Sequence, residues 1–259
     1  MAAVSSIYIM PQGGIGNQLF QLAAGLAAQK TLRGDLYMLP IRLNKHSGCD
    51  YRLTLYMRAK PIDNIQQSYA LYHQEDAFER WMPYMLDGHK AIVLDGYFQY
   101  LPAICDVIPD IKSDLLSVLD SRITAVKEKY AIQQETVFIH VRRGDYVPLT
   151  HLFGGVGETY YTNALKGFST GKRFLVISDE PEWCKQQPWL NSYEIVDEPD
   201  ELDSLAIMAS CKGGAIIANS TFSWWGAILS GTPRVFYPSK WFSDKKPDLF
   251  PEGWVCVDC

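Results

Sequence analysis

An α/β fold built on parallel sheets is predicted by three features of this 259-residue sequence. Short β-branched and aromatic runs alternate with helix-length segments, the pattern left by strand–helix–strand units whose strands all point one way. The clearest run, TVFIHV at 136–141, is nearly all apolar rather than alternating, as a strand buried on both faces must be. The glycine-rich and polar clusters fall where such runs stop, at the strand carboxyl ends where open α/β sheets bind ligands.

Taken in order, Ser6–Met10 reads as the first strand, followed by a glycine-rich turn. A helix over 17–32, NQLFQLAAGLAAQKTL, comes next, with Asn17 as its N-cap and Gly34 as its C-cap. Residues 35–41 (DLYMLPI) form a second strand; 43–90 is polar and aromatic with mixed periodicity and reads only as helices and loops. Strand character returns at 91–95, and 113–130 has a serine cap and apolar residues at helical spacing. The short polar segment 131–135 marks a boundary between domains 1–132 and 133–259. Beyond it the alternation is cleaner: strands at 136–141, 173–177, 193–196, 214–218 and 234–237, helices near 159–168, 180–187, 199–211 and 220–230. Two Rossmann-like halves facing each other across a cleft is the economical reading.

Composition narrows the function. The chain is 47% hydrophobic and 20% charged with net charge −5 and a pI near 5.5, which argues against a nucleic-acid partner held by bulk positive charge. No run of about 18 apolar residues suggests a membrane span, and MAAVSSIYIM lacks the basic and apolar regions of a secretory signal. Six scattered cysteines suit a reducing cytoplasm; Cys256 and Cys259 have CxxC spacing but no following helix and no second pair. The histidines show no metal-ligand spacing and no Asp-X-Asp triplet occurs, so neither metal nor cofactor is expected.

Four motifs carry the chemistry. In HVRRGDY (140–146) a paired arginine follows a buried strand, and guanidinium forks match phosphate oxygens bidentately at any working pH. The alternative is an Arg–Asp salt bridge closing a loop. In GGIGNQ (13–18), glycines allow close backbone approach and the following helix offers free N–H groups, but a tight strand-to-helix turn needs no more than this. In Ser178-Asp179-Glu180, a carboxylate at a strand end suits paired donors such as guanine N1–H and N2–H; a helix cap before Pro181 is the alternative. In ANSTFSWWGAIL (218–229), Asn219, Ser220, Thr221 and Ser223 crowd a helix start and make an anion cradle, while Trp224 and Trp225 read as core.

Together GGIGNQLFQLA (13–23), HVRRGDY, SDEPEW (178–183) and ANSTFSWWGAIL closely resemble the α-1,2-fucosyltransferase family, and in particular its bacterial members. The four motifs span almost the whole chain in the family's order. Two departures stand out: Glu180 occupies a position where the family often has a second Asp, and the chain is somewhat short, implying reduced acceptor-side loops.

The resemblance implies a two-domain GT-B-like fold, GDP-fucose as donor, metal independence, and transfer with inversion to O2 of a terminal β-galactoside. It places Arg142 on the β-phosphate, with Arg143 and Gly14 also on the donor. His140 and Asp179 lie near guanine and its ribose, and Asn219, Ser220, Thr221, Phe222 and Ser223 hold the diphosphate. Asn17 faces fucose and acceptor, and Gln18 and Tyr146 belong to the acceptor side. Asp145 is the first candidate for a base, with Glu158 and His151 nearby in sequence; a loose transition state without a strong base stays open. So do a cytoplasmic site peripheral to the membrane and a lipid-linked acceptor. The competing readings are another fucose linkage, another GDP-sugar, or a sugar-binding module without catalysis.

Overall fold

The computed structural model describes residues 4–40, 58–73, 89–243 and 247–259 and divides into two units, Met1–Asp114 and Leu115–Cys259. Residues 41–57 and 74–88, most of the stretch with mixed periodicity, lie outside the described residues, as do His46 and Cys49.

In the first unit, strand β1 (Ser6–Ile9) is buried at every position because it sits between two parallel neighbours, β2 (Asp35–Met38) and β5 (Ala91–Asp95). Two short strands, β3 (Lys60–Pro61) and β4 (Ala70–His73), complete a parallel five-stranded sheet in the order β3-β2-β1-β5-β4. Neither was predicted. Helix α1 (Ile15–Leu32) follows β1, and its alanines let it press close to the sheet. A Cβ on Gly25 would stand 2.5 Å from Ile9 Cδ1 and 2.9 Å from Leu36 Cδ1.

Both caps of α1 differ from expectation. The helix starts at Ile15 with Gly14 as N-cap, so Asn17 is inside the first turn. At the other end Arg33, not Gly34, takes the left-handed conformation (φ 59°) and donates its N–H to Gln29 O. Gly34 serves packing instead, since a Cβ there would come within 3.2 Å of the Val4–Ser6 main chain.

The expected helix 113–130 is two helices, because the chain turns at Leu119: α3 (Ile108–Val118), with Ser113 in its interior, and α4 (Asp120–Lys129). A short helix α2 (Leu101–Ile104) precedes them. Residues 131–135 lie in the second unit, between α4 and β6 (Val137–Val141).

The second unit follows the predicted alternation. After β6 come a 3₁₀ turn over Gly144–Leu149, helix α5 (Thr150–Phe153) and helix α6 (Glu158–Leu165). Strand β7 (Phe174–Ser178), helix α7 (Pro181–Lys185) and strand β8 (Glu194–Ile195) follow. Helix α8 (Glu201–Ser210) is capped by Asp200, whose side chain accepts from Leu202 N–H and Asp203 N–H. Then come β9 (Gly214–Ile216), α9 (Thr221–Ser230), β10 (Val235–Pro238) and an unpredicted edge strand β11 (Val255–Val257).

All six strands pair in parallel in the order β11-β10-β9-β6-β7-β8. This is the doubly wound dinucleotide-fold order, and the direction of winding reverses between β6 and β9. The core beneath it is apolar and aromatic: Val137, Ile139, Tyr160, Val176 and Ile216 are buried together. Tyr160 adds a polar tie, its hydroxyl donating to Ile217 O at 2.6 Å and Phe236 O at 3.0 Å.

Candidate active site

Because β9, β6 and β7 are adjacent and parallel, the loops after them emerge side by side at one edge, flanking the switch point. These loops hold the motifs HVRRGDY, SDEPEW and ANSTFSWW.

The loop after β6 carries Arg142 and Arg143. Arg142 Nη2 donates to Asp145 Oδ1 at 2.5 Å, and Nη1 lies 3.2 Å from Asp179 Oδ2. The guanidinium also lies 5.3 Å from the centre of the Tyr146 ring. Burial works against its charge, but the carboxylates of Asp179 and Asp145 outweigh burial and hold its pKa above the usual arginine value. Its Nε is buried and has no hydrogen-bond partner among the described residues.

Arg143 is held differently. Its main-chain N–H donates to Asp179 Oδ1 at 3.0 Å, its Nε donates to Glu180 Oε2 at 2.9 Å, and its guanidinium stacks 3.6 Å from the Trp183 ring centre. Such a stack suits the flat, weakly hydrated guanidinium better than it would a lysine. Two arginines face three carboxylates here, so an anion would be bound by aimed N–H donors rather than by surplus positive charge.

His140, at the end of β6, is buried. Its main-chain O accepts from the Tyr161 hydroxyl at 3.1 Å, and its ring lies 5.7 Å from Phe222 at the start of α9. Burial, then the Arg142 charge, pushes its pKa down to about 3, so the ring is neutral at physiological pH. Nδ1 is buried without a partner among the described residues.

At the start of α9 the side chains divide. The Asn219 amide donates to Phe153 O and, at 3.3 Å, to Trp241 O, which ties the loop after β6 to the chain beyond β10. The Ser223 hydroxyl turns back onto Ala218 O (3.4 Å) and Ser220 O (3.2 Å). Ser220 is the N-cap but makes no side-chain cap, so the first-turn N–H groups of Thr221, Phe222 and Ser223 are not covered by its hydroxyl. Trp224 and Trp225 are core residues.

In the first unit, the turn between β1 and α1 is braced by its own helix. Gln18 Nε2 donates to Gly13 O at 2.8 Å, and Gln21 exchanges hydrogen bonds with the Gln12 main chain at 3.0 and 3.2 Å. Gly13 has φ 76°, a conformation that favours glycine. Asn17 Oδ1 accepts from Gln99 Nε2 at 3.3 Å, and Gly14 caps the helix.

The sequence reading missed Trp183 as the platform under Arg143 and Tyr161 as the brace on His140. The i, i+3 spacing of Glu180 and Trp183 at a helix start was the signal for the first. Among the described residues no group of three His, Cys, Asp or Glu side chains is placed to hold a metal ion, and no helix is long and apolar enough to cross a membrane.

Comparison with known proteins adds an independent observation. The family described as Glycosyl transferase family 11 matches residues 5–257. An Escherichia coli protein named O-antigen biosynthesis glycosyltransferase WbnK is 28% identical, covering 96% of this chain and 99% of its own. A Caenorhabditis elegans galactoside 2-alpha-L-fucosyltransferase is 25% identical over 96% of this chain and 78% of its own. An Escherichia coli alpha-1,2-colitosyltransferase is 33% identical over 48% of each. Among solved structures, the fucosyltransferase NodZ from Bradyrhizobium superposes with a TM-score of 0.56 at 14% identity, covering 89% of this chain and 93% of that one. POFUT1 in complex with GDP gives 0.52 at 14% identity over 92% and 99%. The fold is therefore the GT-B type shared by these fucosyltransferases.

Proposed function

This chain belongs to glycosyl transferase family 11, and from that premise we propose that it transfers fucose from GDP-fucose, with inversion, to O2 of a terminal β-galactoside. It is a glycosyltransferase. The observation that carries the finer reading is that the anchored Arg142 and the first turn of α9, which the Ser220 hydroxyl does not cap, follow the two strands that flank the switch point. Relatives named as galactoside 2-fucosyltransferases support the donor and linkage.

Loss of GDP from fucose builds negative charge on the β-phosphate and positive charge on the sugar ring. Donors fixed before the reaction and aimed at the developing charge stabilise the transition state more than the ground state. Arg142 supplies such donors, and the α9 N-terminus supplies main-chain N–H groups and its dipole. Arg143 and Phe222 line the donor side with His140, whose neutral, buried ring suits contact with an uncharged base. Asn219 shapes this side through the main chain, while Ser220, Thr221 and Ser223 form the turn itself.

The unit Leu115–Cys259 serves the donor in this reading and Met1–Asp114 the acceptor, through Asn17 and Gln18, with Gly14 reaching the donor. Asp145, hydrogen-bonded to Arg142, is the first candidate to take the acceptor hydroxyl proton; an Asp145→Asn variant with an unchanged pH–rate profile would remove it from that role. The five described cysteines are free, in keeping with a cytoplasmic enzyme acting on glycans, lipid-linked ones included.

The test is product formation from GDP-fucose and lactose, in EDTA and again with Mn²⁺, with the linkage read by NMR. An α-1,2-fucosylated product in EDTA is expected. Arg142→Ala should lower kcat by about 10²–10³ with the fold intact; near-normal turnover in a folded variant refutes the assignment. The colitosyltransferase relative favours one second reading, a different GDP-sugar, which nucleotide-sugar competition separates.

A further inference from the structure

Asp179 stands one residue beyond β7, and both its oxygens are turned toward the loop after β6. Oδ1 accepts from Arg143 N–H at 3.0 Å and Oδ2 lies 3.2 Å from Arg142 Nη1. The loop passes so near that a Cβ on Gly144 would stand 2.6 Å from Oδ2. Strand pairing sets this up, because Val141 is in register with Ser178 and the residues that follow each strand meet.

We propose that Asp179 is a positioning residue that acts through Arg142, not a reader of the nucleotide base; this rests on the function proposed above. An arginine side chain has many rotamers, and fixing it only when substrate arrives would cost entropy at that moment. Asp145 holds Nη2 and Asp179 holds Nη1, so two carboxylates on two nitrogens set both the place and the plane of the guanidinium. Of its five N–H donors one is given to Asp145, and Asp179 holds Nη1 as an ion pair, which leaves four, the buried Nε–H among them, for an anion. A base reader would instead need its acceptor oxygens directed at the ligand, and here the arginine loop already holds them. Glu180 and Trp183 hold Arg143 in the same manner from the following turn.

The experiment is a double-mutant cycle over wild type, Arg142→Ala, Asp179→Asn and the double variant. It reads kcat and donor KM, with calorimetric Kd for GDP and for inosine diphosphate, which lacks the guanine amino group. Asp179→Asn should lower kcat about 30–100-fold while donor KM and GDP Kd stay within about 3-fold. In the Arg142→Ala background the same substitution should change kcat by less than about 3-fold. Multiplying kcat losses would overturn the proposal, as would a GDP Kd weakened about tenfold with inosine diphosphate binding unchanged.

Gly144→Ala, which pushes the carboxylate away without removing it, must reproduce the kcat loss, and near-normal kcat in that variant also overturns the proposal. The cycle is run on whichever nucleotide-sugar the wild-type enzyme turns over. A mistaken donor then shows in the wild type, and a mistaken positioning role shows in the cycle.

Discussion

Replacing His140 by Gln should remove a defined part of the enzyme's acid sensitivity. The ring is buried at the end of β6 with Arg142 two residues on, and its pKa is down to about 3 against an ordinary 6.5. Above pH 6.5 the ring is neutral folded or unfolded, and contributes no pH dependence. Below 6.5 the unfolded chain binds a proton that the folded chain refuses until about pH 3, so stability falls as pH falls through that window.

Each pH unit within it is worth about 1.4 kcal/mol, so the step from pH 6.5 to pH 5 should cost about 2 kcal/mol. Urea unfolding of wild type and His140→Gln at pH 7 and pH 5 measures this, because other titrating groups cancel in the difference. The variant should lose about 2 kcal/mol less than wild type over that range. Equal losses in the two proteins would refute the burial argument. A ring that titrates near 3 is also a weak base, so the pH–rate profile should show no inflection from it near 6.5.

Two further outcomes concern the scaffold. Gly213→Ala places a Cβ into the main chain of Glu135, which cannot yield as a side-chain tip would; about 2–3 kcal/mol should be lost, and an unchanged urea midpoint would refute the packing argument. Asn219→Ala leaves the Phe153 and Trp241 carbonyls without their amide partner, at about 1–3 kcal/mol each. Amide exchange over 144–153 should then accelerate, whereas an unaltered exchange rate would show that Asn219 is not the tie that holds this loop.

Much of the second unit was legible because its strands are short, apolar and separated by helices, so period and punctuation agree. Strand β6 and the arginines after it could be placed from sequence alone. The edge strands β3, β4 and β11 could not, because two to four residues carry too little periodicity and their pairing comes from a neighbour distant in the chain. The α1 caps went astray for a related reason. Residues Gly14 and Asn17 are both acceptable N-caps, and the glycine that looked like a C-cap, Gly34, is needed for its close passage against the chain entering the first strand, while Arg33 takes the left-handed position.

The sequence by itself determined the fold class and the placing of the four motifs at strand carboxyl ends, with the residue types that the proposed anionic donor requires. Local pattern carries these, since burial and turn chemistry are written in adjacent residues. Only the tertiary structure decided what each polar group does. Asp179 is 36 residues from Arg143 in the chain but one hydrogen bond away in space, and the Asn219 amide holds main chain at Phe153 and Trp241. Partners set by parallel strand order, rather than by neighbours in sequence, separate a group that touches the ligand from one that holds its neighbour in place.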